Sequence, residues 1–272
     1  MITSRDNQFV RQVKRLLSDS GARRAEGLFA IEGARLCEDA ALSGVKIRTL
    51  LYTPEAQAVY ASRISVLKEY CDEYYEISAS LSKRIGDTLT PQGVFCVCEL
   101  LDNLSGLDKI EDIKNAGLGF LALENLQDPA NMGAIIRTAE ALGMDGILLS
   151  DECCDVYNPK VLRGSMGGVF RLPLINVGEM SAAVGRLASE GIACFACVID
   201  KDAVPLPEAG FSRGSVCVIG NEGSGLKSQT VSACTGKITI PMGGRAESLN
   251  AAMAAGIVMW EMARAVSNPA VR

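Results

Sequence analysis

The pattern that most limits the architecture lies in the second half of the chain, where short apolar runs recur: LGFLAL from Leu118, GILLS from Gly146, IACFACVI from Ile192, SVCVIG from Ser215 and KITIPM from Lys237. These runs lack polar alternation, as strands buried on both faces do, and helical stretches separate most of them. Such a succession predicts an α/β domain: a largely parallel sheet covered by helices, with ligands expected at the carboxyl ends of its strands.

The first half is organised differently. GLFAIEGARLCEDAAL, KIRTLLYT, EYYEIS and TPQGVFCVCEL alternate apolar runs with helical patterns and predict a small α/β domain over residues 1–101. From Asp102 to Asn115 the apolar runs stop and charge rises, which predicts a linker over 102–116 and a second domain over 117–272. A length of 272 residues exceeds the usual size of one domain and agrees with this division. The chain is acidic, with a net charge of −5, yet its first 24 residues carry Arg5, Arg11, Lys14, Arg15, Arg23 and Arg24 against Asp6 and Asp19. Such an arm is either a solvated helix face or an element that contacts phosphate.

Composition removes whole classes of chemistry. The chain has no histidine, so Ser-His-Asp and Cys-His nucleophiles and a histidine general base are excluded. Proton removal falls to carboxylate, Lys, Arg, backbone or water, and positioning is expected to do most of the work. Ten cysteines suit a reducing compartment. Cys194 and Cys197 form a CxxC, but no second pair stands at finger-like spacing, so no metal site is expected. No apolar run approaches the ~20 residues of a bilayer span, and the first residues lack the apolar core of a signal peptide. A cytoplasmic protein with no membrane contact is the expectation.

Three strand ends are unusual. After LGFLAL, the stretch QDPANMGAIIRTAEALG has Met132, Ile135, Ile136, Ala139 and Leu142 at helical spacing, Asn131 where an N-cap belongs, Gly143 at the end and Arg137 off the apolar stripe. After SVCVI comes GNEGSGLKS, with Gly220, Gly223 and Gly225 close together, a tight turn or a place where backbone approaches a ligand. It is not a Walker loop, because Leu226 separates Gly225 from Lys227. A third strand, Ile238 to Met242, runs through a turn carrying Arg245 and Glu247 into a long helix predicted to begin with Ser248, Leu249 and Asn250. Those residues either cap the helix or hold a polar or anionic group at its positive end.

Taken together, N-x-G-x-x-x-R from Asn131 to Arg137, GNEGSGL from Gly220, and IPM followed by SLN from Ile240 to Asn250 resemble the three motifs of the SpoU (TrmH-like) RNA ribose 2′-O-methyltransferases, in order. FAIEGARLCEDA and TPQGVFCVCEL are similar to that family's substrate-binding domain, a ribosomal-protein-like RNA-binding fold, so the resemblance covers most of the chain. It implies a catalytic domain knotted as a trefoil, a homodimer, and S-adenosylmethionine bent into the knot, where periodicity alone would favour an unknotted sheet. By the same resemblance, backbone around Gly220, Ile240 and Leu249 holds the cofactor with Met242 nearby. Asn131, Arg137, Glu222, Ser248 and Asn250 form the catalytic constellation. Departures are small: Ala251 follows SLN where the family often has Val, and Ala130 precedes Asn131 where Gly is frequent.

The implied substrate is structured RNA, 23S ribosomal RNA before transfer RNA, because a separate N-terminal domain resembles the ribosomal members. Arg11, Lys14, Arg15, Arg23 and Arg24 are the expected phosphate contacts. Two roles stand open for Arg137: a base activated by phosphate and neighbours, or a cation that stabilises the developing alkoxide, since a guanidinium gives up its proton only with difficulty. Two other classes remain for test, a non-catalytic RNA-binding protein of the same fold and an enzyme that methylates a base nitrogen.

Overall fold

The computed structural model describes residues 1–88, 90–101, 113 and 117–267. It divides into two units, Met1–Leu101 with Asp155–Arg171 and Asp102–Cys154 with Leu172–Arg272. The segment Asp155–Arg171, which the sequence reading assigned to the second domain, therefore packs with the first unit. The expected linker at 102–116 lies outside the described residues except for Ile113, which is buried in the core of the second unit.

In the first unit, helix α1 (Gln8–Ser18) starts where the Asn7 side chain accepts from the Phe9 N–H. It buries Val10, Val13, Leu16 and Leu17, and leaves Arg11, Lys14 and Arg15 outward. Helix α2 (Ser20–Glu26) is capped by Asp19 and ends at Gly27, whose φ of 66° suits glycine. Strand β1 (Leu28–Glu32), helix α3 (Ala34–Leu42), strand β2 (Ile47–Tyr52), helices α4 (Pro54–Val59) and α5 (Ala61–Tyr70), strand β3 (Cys71–Glu76), helix α6 (Ala79–Ile85) and strand β4 (Val94–Glu99) follow. The sheet order is β1-β4-β2-β3, with β4 antiparallel to both neighbours and β2 parallel to β3. Phe95, Val97, Leu51 and Ala30 meet the apolar faces of α1 and α6 in one core.

The second unit is built on seven strands: β5 (Gly119–Leu123), β6 (Gly146–Ser150), β7 (Leu174–Gly178), β8 (Cys194–Cys197), β9 (Val204–Pro205), β10 (Ser215–Ile219) and β11 (Gly236–Thr239). Their order is β7-β6-β5-β10-β8-β11-β9 and every adjacent pair is parallel. The parallel sheet read from the apolar runs is therefore present. Two strands carried no such run: β7 is half exposed and interrupted by Asn176, and β9 has two residues. Helix α7 (Pro129–Leu142) follows β5, helix α8 (Pro159–Gly164) belongs to the first unit, and helices α9 (Met180–Ser189), α10 (Ser228–Ala233) and α11 (Ala251–Ser267) complete the order. Phe120, Ala122, Leu148, Val216 and Val218 pack with Met180, Val184 and Leu187 of α9 on one side of the sheet. Helix α11 packs against α7 and β10.

Two expected caps lie elsewhere. The N-cap of α7 is Asp128, accepting from Ala130 N–H, with Pro129 opening the helix, so Asn131 sits inside its first turn and is buried. The last strand ends at Thr239, not Met242, and α11 begins at Ala251, not Ser248. Its cap is Asn250, whose Oδ1 accepts from the Ala252 and Met253 N–H groups at 2.9 and 3.2 Å. With the helix starting at Ala251, residue 250 stands at the cap position, and the Asn250 carbonyl reaches two free N–H groups of the first turn.

Candidate active site

Parallel strands send all their carboxyl ends to one edge, and the order β5-β10-β8-β11 places four irregular segments side by side there. A cavity of about 500 Å³ opens at this edge. Cys197 to Ile199 line it after β8, Gly220 to Leu226 after β10, and Ile240, Met242, Glu247, Ser248 and Leu249 after β11. Its walls are apolar where Val198, Ile199, Leu226, Ile240 and Leu249 stand, and main chain supplies much of the rest.

Close packing of main chain shapes the glycine-rich loop. Asn221 and Gly225 exchange N–H to O bonds of 3.0 Å in both directions, closing the loop on itself. A Cβ on Gly220 would lie 2.3 Å from the Gly225 carbonyl carbon, so no other residue fits that position without moving the loop. The Asn221 side chain accepts from Gly223 and Ser224 N–H groups and donates to the Asn125 carbonyl at 2.8 Å.

At the rim a chain of hydrogen bonds joins the three stretches that the sequence singled out. Asn250 Nδ2 donates to Asn131 Oδ1 at 3.0 Å, and Asn131 Nδ2 donates to Glu222 Oε1 at 3.0 Å. The Asp128 and Gln127 N–H groups complete the Glu222 carboxylate at 3.1 and 3.3 Å. Partial burial pushes this carboxyl up, but the Asn131 amide and the backbone N–H groups outweigh it, so Glu222 titrates below the ordinary carboxylate range. It is a fixed anion at neutral pH. That fixes the orientation of both amides: Asn131 must present Nδ2 to the anion, which turns its Oδ1 to Asn250.

Ser248 lines the cavity with Glu222, and Gly220, Ile240, Met242 and Leu249 line it too. Arg137 is not part of the cluster. It lies six residues beyond Asn131, about 120° round the helix and ~9 Å along it. It is exposed and makes no hydrogen bond or ion pair with the described residues.

Val198 and Ile199 were not singled out in the sequence, and Cys197 stood out there only as part of a CxxC. Their signal was positional: they end an apolar run whose carboxyl end was the expected ligand edge. Burial pushes the Cys197 thiol up to about 11, which keeps it protonated and a poor nucleophile at neutral pH. Glu124 was also missed. It is 1% exposed at the end of β5 and accepts from the Lys227 N–H at 2.8 Å and the Thr230 hydroxyl at 2.5 Å.

In the first unit the basic arm divides. Arg11, Lys14 and Arg24 are exposed, and Arg15 pairs with Glu26. Arg23 corrects the sequence reading: it is buried, its Nη1 donates to the Leu16 carbonyl at 2.6 Å, and its guanidinium pairs with Asp155 at 2.6 Å. It holds the Asp155–Arg171 segment within the unit and is not available to phosphate.

The chain matches known families along most of its length. The sequence model of the SpoU rRNA Methylase family matches residues 119–260, and that of the MRM3-like substrate binding domain matches residues 7–96. The chain is 30% identical to the 23S rRNA (guanosine(2553)-2′-O)-methyltransferase RlmP of Bacillus subtilis, over 96% of this chain and 98% of the relative. It is 32% identical to the 23S rRNA (uridine(2479)-2′-O)-methyltransferase of Streptomyces viridochromogenes, over 97% and 91%. Among solved structures, the AdoMet-bound rRNA methyltransferase from Sinorhizobium meliloti superposes with a TM-score of 0.84 at 29% identity, covering 97% of each chain. With three motifs meeting at one sheet edge and matches that run almost end to end, this chain belongs to the SpoU rRNA methylase family.

Proposed function

We propose that the protein transfers a methyl group from S-adenosylmethionine to a ribose 2′-hydroxyl of 23S ribosomal RNA, as a cytoplasmic homodimer. The observation that carries this reading is the Asn250–Asn131–Glu222 chain at the mouth of a cavity lined by the ends of β8, β10 and β11. The 2′-O-methyltransferase activity of the relatives supports it.

The residues fit the cofactor. An adenosine needs an apolar slot with main-chain groups at its edges, and Ile199, Leu226, Ile240 and Leu249 beside the Gly220–Gly225 backbone supply one. When bound, S-adenosylmethionine supplies an electrophilic methyl group on a sulfonium centre. The chain's own residues then have three tasks. The loop Gly220–Leu226 and Leu249 exclude water and orient the donor. Glu222, ionised and anchored by two N–H groups, locks Asn131 and Asn250 so that their amides present fixed dipoles to an incoming ribose. Arg137 meets the hydroxyl's proton or stabilises the charge it leaves. Alignment of this kind is worth on the order of 7–11 kcal/mol in intramolecular models.

Homodimer formation is supported by α11, where Met253, Ile257 and Trp260, spaced by four and three residues, are 64%, 42% and 62% exposed. Of the five expected phosphate contacts, Arg11, Lys14 and Arg24 are exposed and outside the pairs that hold Arg15 and Arg23, and these three are free to contact RNA phosphate. The trefoil threading belongs to the same reading; β11, late in the chain, lies between β8 and β9 instead of at an edge.

Two measurements test the reading. Calorimetry with S-adenosylhomocysteine and no added metal is expected to show saturable binding. Radiolabelled transfer to 23S ribosomal RNA, followed by nuclease digestion, is expected to place the methyl on ribose. A methyl on a base, or transfer to tRNA alone, would replace the assignment, and absence of binding at millimolar cofactor would remove the enzyme reading.

A further inference from the structure

Glu124 is a buried carboxylate that packing does not require. It follows directly after β5 at 1% exposure, where an apolar residue would bury at lower cost. Its bonds span the glycine-rich loop. The Glu124 main-chain N–H donates to the Ile219 carbonyl at 2.9 Å, immediately before the loop. Its Oε2 accepts from the Lys227 N–H at 2.8 Å, immediately after the loop, and its Oε1 accepts from the Thr230 hydroxyl at 2.5 Å. One residue therefore sets the distance between the two ends of Gly220–Leu226.

The loop has little slack with which to absorb a change at its base. The reciprocal Asn221–Gly225 pair and the close approach of Gly220 to Gly225 leave no free hinge, and Leu226 both packs against the core and lines the cavity. The front of the loop is held separately, through Asn221 to the Asn125 carbonyl and through Glu222 to Gln127 and Asp128. A shift of Lys227 must therefore pass into Gly225 and Leu226, which border the cavity.

We infer that Glu124 is a positioning residue for the cofactor: its carboxylate fixes the rear of the glycine-rich loop so that the loop's backbone holds the shape of the cavity. The inference rests on the reading that this cavity takes S-adenosylmethionine. Each carboxylate oxygen meets a donor, the Lys227 N–H on one and the Thr230 hydroxyl on the other. Glutamine keeps the shape, but its single carbonyl can take only one of these donors and its NH₂ is accommodated only if the Thr230 hydroxyl turns to accept, so the charged acceptor is lost from both bonds.

The test compares Glu124→Gln, Thr230→Val and the cavity-filling variant Leu249→Trp with the wild-type protein. Glu124→Gln is expected to raise the S-adenosylhomocysteine Kd and the S-adenosylmethionine KM by about 10- to 100-fold, the scale of a lost hydrogen bond to a charged acceptor. Its kcat at saturating cofactor and its RNA affinity stay at wild-type values. Thr230→Val, which removes one of the two bonds, raises the same constants by a smaller factor. A merely structural glutamate would lower the melting temperature equally with and without cofactor and leave Kd unchanged. Wild-type cofactor affinity in folded Glu124→Gln overturns the inference, and so does wild-type affinity in folded Thr230→Val if the first variant does not fold. Leu249→Trp separates the two failures. If it weakens binding while Glu124→Gln does not, the positioning role falls alone; if neither weakens it, the cofactor does not occupy this cavity.

Discussion

Glu32 and Glu124 occupy the same kind of position in the two units. Glu32 is the last residue of β1 and Glu124 the first after β5, each is buried, and each accepts from one backbone N–H and one threonine hydroxyl: Asp87 N–H and Thr88 for Glu32, Lys227 N–H and Thr230 for Glu124. The surroundings differ in strand direction. β1 lies antiparallel to β4, with Glu32 opposite Phe95, so Glu32 secures the loop that enters the neighbouring strand. That loop spends its groups within the unit, Gln92 on the α3 N-terminus and Asp87 on Arg163. β5 lies parallel to β10, so Glu124 secures a loop that leaves the neighbouring strand at the same edge, beside the ends of β8 and β11. The same local device stabilises a domain in one sheet and shapes a cavity in the other, because a parallel sheet gathers its loops and an antiparallel pair disperses them.

The contrast breaks most visibly at Arg137. On the proposed mechanism Arg137→Ala lowers single-turnover methyl transfer by roughly 10²-fold or more, the scale of a lost charge stabiliser, with fold and cofactor affinity retained. Arg137→Lys, which keeps the charge without the planar fork, loses most of the rate as well. A wild-type rate for the alanine variant at saturating RNA would make Arg137 a surface residue.

A second experiment asks whether the arm of the first unit acts through stability or through RNA. Arg23→Ala leaves Asp155 without its partner and is expected to cost roughly 2–3 kcal/mol in chemical denaturation, below the range for a fully buried pair because Asp155 is partly exposed. The triple variant Arg11→Ala, Lys14→Ala and Arg24→Ala is expected to leave stability unchanged while weakening RNA binding and flattening its salt dependence. An unchanged salt slope would return these three to a solvated face.

The smallest effect sharpens the comparison itself. Glu32→Gln is expected to cost about 1–2 kcal/mol of stability, since the Asp87 N–H and Thr88 bonds lose their charged acceptor. Cofactor affinity should stay at the wild-type value, in contrast to Glu124→Gln. If Glu32→Gln weakened cofactor binding as strongly, the two glutamates would differ only in address and strand direction would not separate their roles.

Much was legible before any coordinates. Four- to eight-residue apolar runs have few alternatives to buried parallel strands, so β5, β6, β8, β10 and β11 and the α/β class followed from the residues. Strands β7 and β9 did not, because an edge strand buries one face or is too short to leave a pattern. The polar stretches after β5, β10 and β11 stood out because small and polar residues interrupt an otherwise apolar periodicity. Helix caps were misplaced by three residues at α7 and by two at α11, where Asp128 and Asn250 cap in place of Asn131 and Ser248. Several small polar residues stand in succession there, each a competent cap, and only the path of the chain selects among them.

By itself, then, the sequence determined strand composition, the parallel class and the identity of the three polar stretches, all of which follow from local patterns of apolar and polar residues. Tertiary structure decided what those patterns cannot encode. The order β5-β10-β8-β11 brings Asn131, Glu222 and Asn250 within hydrogen-bond reach across separations of 91 and 119 residues. It also assigned two charged residues that read alike on paper. Arg23 and Arg24 are adjacent in the sequence, yet the first is buried against Asp155 and the second faces solvent. Helix geometry turns consecutive side chains about 100° apart, and only the packed neighbour tells which of them lies inside.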